Sequence, residues 1–99
     1  MLDDDGYPTE EALKRIEEWP HTDWTGLLAF TQPLWSYPDR WWTEGDVLNL
    51  STGGWSGNED IIRAMQGNRT FWAICWISSR RGGWCEFDLS RMKRMGEKG

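Results

Sequence analysis

The sequence is poor in the side chains from which catalytic and metal sites are usually built. It holds one histidine, His21, and two cysteines, Cys75 and Cys85, among 99 residues. Neither residue type shows the close spacing of a zinc site, so we expect no metal ligand set. No acid, base or nucleophile stands in a recognised catalytic pattern either. The sequence therefore predicts a protein without a metal, without a cofactor and without enzymatic activity.

Long apolar runs are also missing, and no leader sequence is expected. No stretch approaches the roughly 18 apolar residues of a membrane span. The first residues, MLDDDGYP, have neither the basic nor the apolar region of a signal peptide. We expect a cytoplasmic protein that does not contact a membrane and whose two thiols are reduced.

Basic side chains are scarce in the first half of the chain. Residues 1–50 carry eleven acidic and three basic residues, whereas residues 51–99 carry five acidic and eight basic ones. The net charge of −5 argues against nucleic acid as a partner, because basic side chains supply most of the affinity for phosphate. A surface of this charge suits a partner with a basic surface.

Tryptophan, in contrast, is abundant, with nine residues that can each bury about 200 Å². Four of them fall on predicted apolar faces and are expected in the core: Trp19, Trp24, Trp72 and Trp76. Four others stand beside predicted turns: Trp41, Trp42, Trp55 and Trp84. Aromatic residues near turns favour a contact surface, although they are also compatible with strand ends that fold inward.

The hydrophobic pattern predicts the order helix, helix, short strands, helix and hairpin. One helix begins at Thr9 and ends before Pro20, a second spans about 24–31, and a third spans 58–66. Residues 71–77 are apolar on both faces, which predicts a central strand covered on both sides. A turn at 80–83 then leads into a returning strand.

These elements predict a single small α+β domain over residues 8–90. Its antiparallel sheet has three to four strands and is packed with two to three helices. A flexible acidic N-terminal tail over residues 1–7 and a flexible basic C-terminal tail over residues 91–99 flank the domain.

The least ordinary stretch is the Gly-rich turn, TGGWSGN at residues 52–58. Backbone N–H groups of such a turn, followed by a helix, can bind an anion. The P-loop ending is absent, however, and the carboxylates of Glu59 and Asp60 would repel a phosphate. Ser56 and Glu59 are spaced as in a capping box, which indicates a structural turn. A contact centred on Trp55 is the third interpretation.

Candidate binding residues therefore cluster in this turn, in the helix start that follows it and around the second hairpin. Arg80 and Arg81 with Trp84 could stack on a base or pair with a carboxylate, or they could form a solvated turn. The candidate set is Gly53, Gly54, Trp55, Ser56, Asn58, Glu59, Asp60, Arg80, Arg81 and Trp84.

Two segments of the chain, TGGWSGNEDII at 52–62 and FWAICWISSRRGG at 71–83, carry a resemblance. They resemble a group of small uncharacterised phage and prophage proteins, over roughly residues 24–89. The resemblance implies an origin in a bacteriophage or an integrated element, and hence the cytoplasm of a bacterial host. It implies no activity and no site residues.

The leading hypothesis is a non-enzymatic, phage-derived or prophage-derived binding protein. It would inhibit or redirect a host protein, such as a defence component, through a tryptophan-rich and acidic surface. One alternative is a binder of a small nucleotide-like signal that uses the Gly-rich turn with Trp55 and Arg80 or Arg81. Another is a small enzyme that acts on a nucleotide or a cell-wall fragment.

Overall fold

The computed structural model describes residues 2–80 and 83–90, in which pairs of helices and pairs of strands follow one another as an α+β fold. In chain order the elements are α1 Glu10–Glu18, α2 Trp24–Thr31, β1 Trp41–Glu44, β2 Val47–Ser51, α3 Ser56–Gly67, α4 Arg69–Cys75, β3 Trp76–Arg80 and β4 Trp84–Asp88. The predicted fold class is confirmed, and the described part contains one helix more than predicted. Arg81 and Gly82 of the predicted turn, and the predicted tail at 91–99, lie outside the described residues.

The first two helices begin where the sequence places their caps. The Thr9 hydroxyl accepts a hydrogen bond from the Ala12 N–H at 3.1 Å, and the Asp23 carboxylate accepts one from the Gly26 N–H at 3.2 Å. Each bond satisfies a backbone donor that has no partner inside the helix. Helix α1 ends at Glu18, and extended backbone at Trp19 leads into Pro20.

The four strands form one antiparallel sheet in the order β1-β2-β4-β3. Strands β1 and β2 are joined by a tight turn, in which Gly45 takes a positive φ of 60°. Strands β2 and β4 occupy the centre, and β1 and β3 form the edges. The register places Asn49 of β2 opposite both Trp42 of β1 and Glu86 of β4.

The predicted central strand over residues 71–77 is wrong. Residues Arg69–Cys75 form helix α4, and the chain enters the sheet only at Trp76, as edge strand β3. The Asn68 side chain caps α4 by accepting a hydrogen bond from the Phe71 N–H at 3.4 Å. Phe71 and Cys75, one helical turn apart, are buried, whereas Trp76 is 42 % exposed. A short apolar run fits a buried helix as well as a strand, and here the Asn68 cap favours the helix.

The hydrophobic core lies on one side of the sheet. The strands contribute Leu48, Leu50, Cys85 and Phe87 to it, and the helices contribute Ala12, Ile16, Leu27, Ile61, Ala64, Met65, Phe71 and Cys75. Three of the four tryptophans predicted as core pack against it: Trp19, Trp24 and Trp72. No disulfide joins Cys75 and Cys85, as the sequence predicts.

Residues 2–8 form a small loop with hydrogen bonds of its own. The Asp3 carboxylate accepts the N–H groups of Asp5 and Tyr7, both at 2.9 Å, and Leu2 pairs with Pro8. The flexibility predicted for residues 1–7 stays a prediction. Among the described residues, no helix has both the length and the apolar character needed to cross a membrane.

Candidate functional site

The Gly-rich turn is held by hydrogen bonds to Thr52. The Thr52 carbonyl accepts the Trp55 N–H at 3.0 Å, and the Thr52 hydroxyl accepts the Gly54 N–H at 3.3 Å. Gly53 and Gly54 have φ values of 61° and 75°, which glycine adopts without the penalty that other residues meet. These two glycines are therefore explained by the shape of the turn.

The capping box predicted for Ser56 and Glu59 is wrong. Trp55 occupies the N-cap position of α3, where no side chain caps the helix. The Ser56 hydroxyl instead donates to the Tyr7 hydroxyl at 3.4 Å, and Glu59 is exposed. Asp60 pairs with Arg63 at 3.1 Å on the helix surface, an exposed ion pair worth little stability.

Asn58 is fully buried, and its side-chain amide is committed to the fold. Its Oδ1 accepts the Ser36 N–H at 2.9 Å, and its Nδ2 donates to the carbonyls of Ser36 at 3.0 Å and Thr52 at 3.3 Å. Because both ends of the amide are engaged, Asn58 ties the Gly-rich turn to the segment around residue 36. It offers no donor or acceptor to a ligand.

Trp55 is half-buried beneath the N-terminal loop. The Tyr7 ring stacks on its indole with 4.7 Å between ring centroids and 24° between planes. A Cβ atom added at Gly57 would lie 2.5 Å from the indole Nε1, so the absence of a side chain there lets the ring approach the helix. This Nε1 is buried and has no hydrogen-bond partner among the described residues.

The face of the sheet that points away from the core, which we term the open face, brings a different set of residues together. Cross-strand pairing places on it Trp42, Glu44, Val47, Asn49, Ser51, Ser78, Arg80, Trp84, Glu86 and Asp88. Within the described part of the chain, neither Trp42 nor Trp84 belongs to the core or packs against it. Two large aromatic side chains thus lie outside the hydrophobic core on one surface.

The rings of Trp42 and Trp84 lie side by side, with centroids 6.0 Å apart and planes inclined by 44°. The Trp84 Nε1 donates to Asn49 Oδ1 at 3.0 Å, and the Trp42 Nε1 donates to Glu44 Oε1 at 3.0 Å. Each indole N–H is thereby anchored, which fixes the orientation of the ring. A surface fixed in this way would lose less conformational entropy on binding.

Arg80 extends this cluster toward strand β3. Its guanidinium carbon lies 4.9 Å from the centre of the Trp84 ring, and its Nη2 lies 3.1 Å from Glu86 Oε1. The same carboxylate oxygen accepts the Ser78 hydroxyl at 2.6 Å. Trp84 and Glu86 therefore hold a guanidinium between them, with Glu86 itself held by Ser78.

A depression of about 320 Å³ opens on this face. It is lined by Glu44, Val47, Asn49, Trp84 and Glu86, so two carboxylates, an amide and an indole meet there, and none of the described lining residues is basic. Within residues 2–80 and 83–90, no three His, Cys, Asp or Glu side chains group closely enough to hold a metal ion.

The Cys85 thiol lies on the opposite, core side of the sheet. Burial raises the pKa of this thiol above its ordinary value of 9.0, and a contact with the Ser79 hydroxyl at 3.6 Å offsets part of the rise. The thiolate is the nucleophilic form, so a raised pKa makes the group less reactive near neutral pH. Cys85 is suited to packing rather than to covalent chemistry.

The candidate residues predicted from sequence are divided among several places. Arg80 and Trp84 meet on the open face, Gly53 to Ser56 lie in the Gly-rich turn, Glu59 and Asp60 lie on α3, and Arg81 lies outside the described residues. The candidate set did not include Glu44, Asn49 and Glu86 of the open face, and the sequence named Trp42 only as an aromatic residue beside a turn. Their signal was the alternation of Asn49 and Glu86 with apolar neighbours, together with the tight turn that sets Trp42 opposite Asn49.

Comparisons of the chain with protein-family models, curated proteins and solved structures gave no match.

Proposed function

We propose that the protein is a non-enzymatic binding protein whose open face contacts a partner protein with a basic surface. The observation that carries the proposal is the pair Trp42 and Trp84, anchored by hydrogen bonds on a sheet face outside the core. Tryptophan is among the residues that dominate binding hot spots. A rigid indole also supplies a large contact area at low entropic cost.

Charge supports a basic partner surface. The chain carries a net charge of −5, and the open face presents three carboxylates, Glu44, Glu86 and Asp88, with the guanidinium of Arg80. Opposite charge on a partner speeds encounter and fixes the orientation of the complex. An acidic or nucleic-acid surface would meet repulsion on the same face.

The resemblance to small phage and prophage proteins supports a partner from the bacterial host. Binding would inhibit or redirect that host protein, with a defence component as one example. The Gly-rich turn is the weaker candidate surface for a small nucleotide-like ligand. Tyr7 already stacks on Trp55 there, and the amide of Asn58 is fully engaged.

Site-specific photo-crosslinking in a bacterial lysate tests the proposal. A photoreactive amino acid at Val47, in the depression of the open face, should capture a discrete partner protein. The matched control carries the same amino acid at Gln66, which is exposed on α3 on the core side of the sheet. The capture from position 47 should disappear with Trp42→Ala. Capture from position 66 alone, or capture from position 47 that survives Trp42→Ala, would contradict the proposal.

A further inference from the structure

We infer that the open face recognises one cationic side chain, an arginine or a lysine in a basic segment of the partner. This side chain sits in the depression between Glu44, Trp84 and Glu86. The inference rests on the proposed function and gives the chemistry by which the open face selects its partner.

The lining of the depression selects for positive charge. Glu44 and Glu86 place two carboxylates around it, Asn49 adds an amide, and Val47 and Trp84 supply apolar contact area. A long cationic side chain matches this combination, because its methylene stem packs on apolar surface while its head meets the carboxylates. An anionic ligand would face both carboxylates, with no basic side chain among the described lining residues.

The chain itself contains an example of the proposed contact. The Arg80 guanidinium lies 4.9 Å from the Trp84 ring centre, inside the range of about 6 Å for cation–π attraction, and 3.1 Å from Glu86. Trp84 and Glu86 therefore already hold one guanidinium, that of Arg80, in this geometry. Arg80 is largely exposed at the margin and is not part of the lining of the depression.

Trp42 stands beside Trp84 but is not among the described residues that line the depression. Its ring lies 6.0 Å from that of Trp84 at an inclination of 44°, so the two indoles pack against each other and Trp42 supports the Trp84 ring from the side. Both indole N–H groups are already donated, to Glu44 and to Asn49. Trp84 therefore meets a ligand in the depression through its ring rather than through its N–H group, and aromatic ring faces attract cations.

The test is a titration of the folded protein with two short peptides, observed by isothermal titration and by the nuclear magnetic resonance signals of the indole N–H groups. One peptide contains spaced arginines, and the other has citrulline, which is neutral and nearly isosteric, in their place. The arginine peptide should shift the Trp42 and Trp84 signals and leave that of Trp76 in place. It should bind at least about tenfold more tightly than the citrulline peptide.

Substitutions of single carboxylates show which of them attract the arginine peptide. Glu44→Gln and Glu86→Gln should each lower the affinity for the arginine peptide by about three- to tenfold, and Trp42→Ala should lower it by about tenfold. The matched control Glu59→Gln removes an exposed carboxylate from α3 and should leave the affinity unchanged. The dispersion of the indole signals shows that each variant is folded. Because Glu44 is exposed, its replacement provides a second variant that does not disturb the Glu86 network.

Equal binding of the two peptides, absence of binding, or equal losses for Glu44→Gln and Glu59→Gln would overturn the inference. A neutral oligosaccharide that shifts the same two indole signals while the arginine peptide does not would also overturn it. The photo-crosslinking outcome separates the two claims. A partner captured from position 47 without arginine-peptide binding would leave the proposed function standing and refute the cationic ligand.

Discussion

The side-chain amide of Asn49 holds the indole of Trp84 from a neighbouring strand, with 3.0 Å between Asn49 Oδ1 and Trp84 Nε1. Asn49 lies on the open face and is nevertheless only 2 % exposed. A buried amide that donates or accepts hydrogen bonds fixes geometry more than it adds stability. The contact therefore connects the register of the sheet directly to the orientation of the proposed binding surface.

Asn49→Ala should release Trp84 from this anchor. The Trp84 N–H would lose its partner, which costs about 1–2 kcal/mol of unfolding free energy. The indole signal of Trp84 should move, and binding of the partner should weaken. Ser51→Ala, on the same strand and face, serves as the control, with a change of about 0.5 kcal/mol or less. Urea unfolding with equal midpoints for both variants would show that the anchor is unimportant.

A second prediction compares two aromatic residues of the β3–β4 hairpin. Phe87 is fully buried on the central strand β4, whereas Trp76 is 42 % exposed on the edge strand β3. Phe87→Ala should cost about 3–5 kcal/mol, since it leaves a cavity in the core. Trp76→Ala should cost about 1 kcal/mol, mainly from its stacking on Trp72. Thermal unfolding in which Trp76→Ala is the more damaging change would restore the central-strand assignment of residues 71–77.

Gly57 and Trp55 should show strong coupling in stability. Gly57→Ala places a Cβ atom against the Trp55 indole, so the ring must shift, and we expect a loss of about 1–3 kcal/mol. In a Trp55→Ala background the obstruction is gone, and alanine is a better helix former than glycine by about 1 kcal/mol. The same substitution should then be neutral or stabilising, apart from a close contact with Pro8. A double-mutant cycle by urea unfolding measures this, and additive effects would contradict the packing of Trp55 on α3.

Burial of Cys85 predicts a loss of stability in alkaline solution. The folded protein raises the pKa of this thiol above 9.0, so the folded state holds the proton more tightly than the unfolded chain does. The corresponding stability is fully present below the unfolded pKa and is lost as the pH rises through the folded pKa. Cys85→Ser, compared with the unmodified protein in urea at pH 7 and pH 10, should reduce this alkaline loss. An unchanged pH dependence would contradict the prediction.

Local signals in the sequence account for the parts of the fold that could be predicted. Thr9, Asp23 and the tight turn at Gly45 determine their own elements through contacts a few residues away. Residues 71–77 could not be assigned in the same way, because an apolar run of that length suits a helix or a strand. The choice depends on Asn68, which caps α4 and also donates to the Ile16 carbonyl, 52 residues earlier in the chain.

The arrangement of the candidate site depends even more than the fold does on contacts between residues that are far apart in the sequence. Trp42 and Trp84 meet only because β4 pairs with β2, and neither residue type nor spacing indicates that register. The sequence predicts Asn58 as a binding residue, whereas in the structure its side chain accepts a hydrogen bond from the backbone of Ser36, 22 residues away. Tyr7 covers Trp55 across a longer gap in the chain. These contacts join segments whose local patterns are independent of one another.

The most direct test of the open face as the binding surface is the affinity of the captured partner for two matched tryptophan variants. Trp42→Ala removes an anchor of the open face, and Trp76→Ala removes an exposed tryptophan at the sheet edge. Isothermal titration should show a loss of about 2 kcal/mol in binding free energy for Trp42→Ala and an affinity within about twofold of the unmodified protein for Trp76→Ala. The reverse order, in folded variants with comparable melting temperatures, would contradict the account.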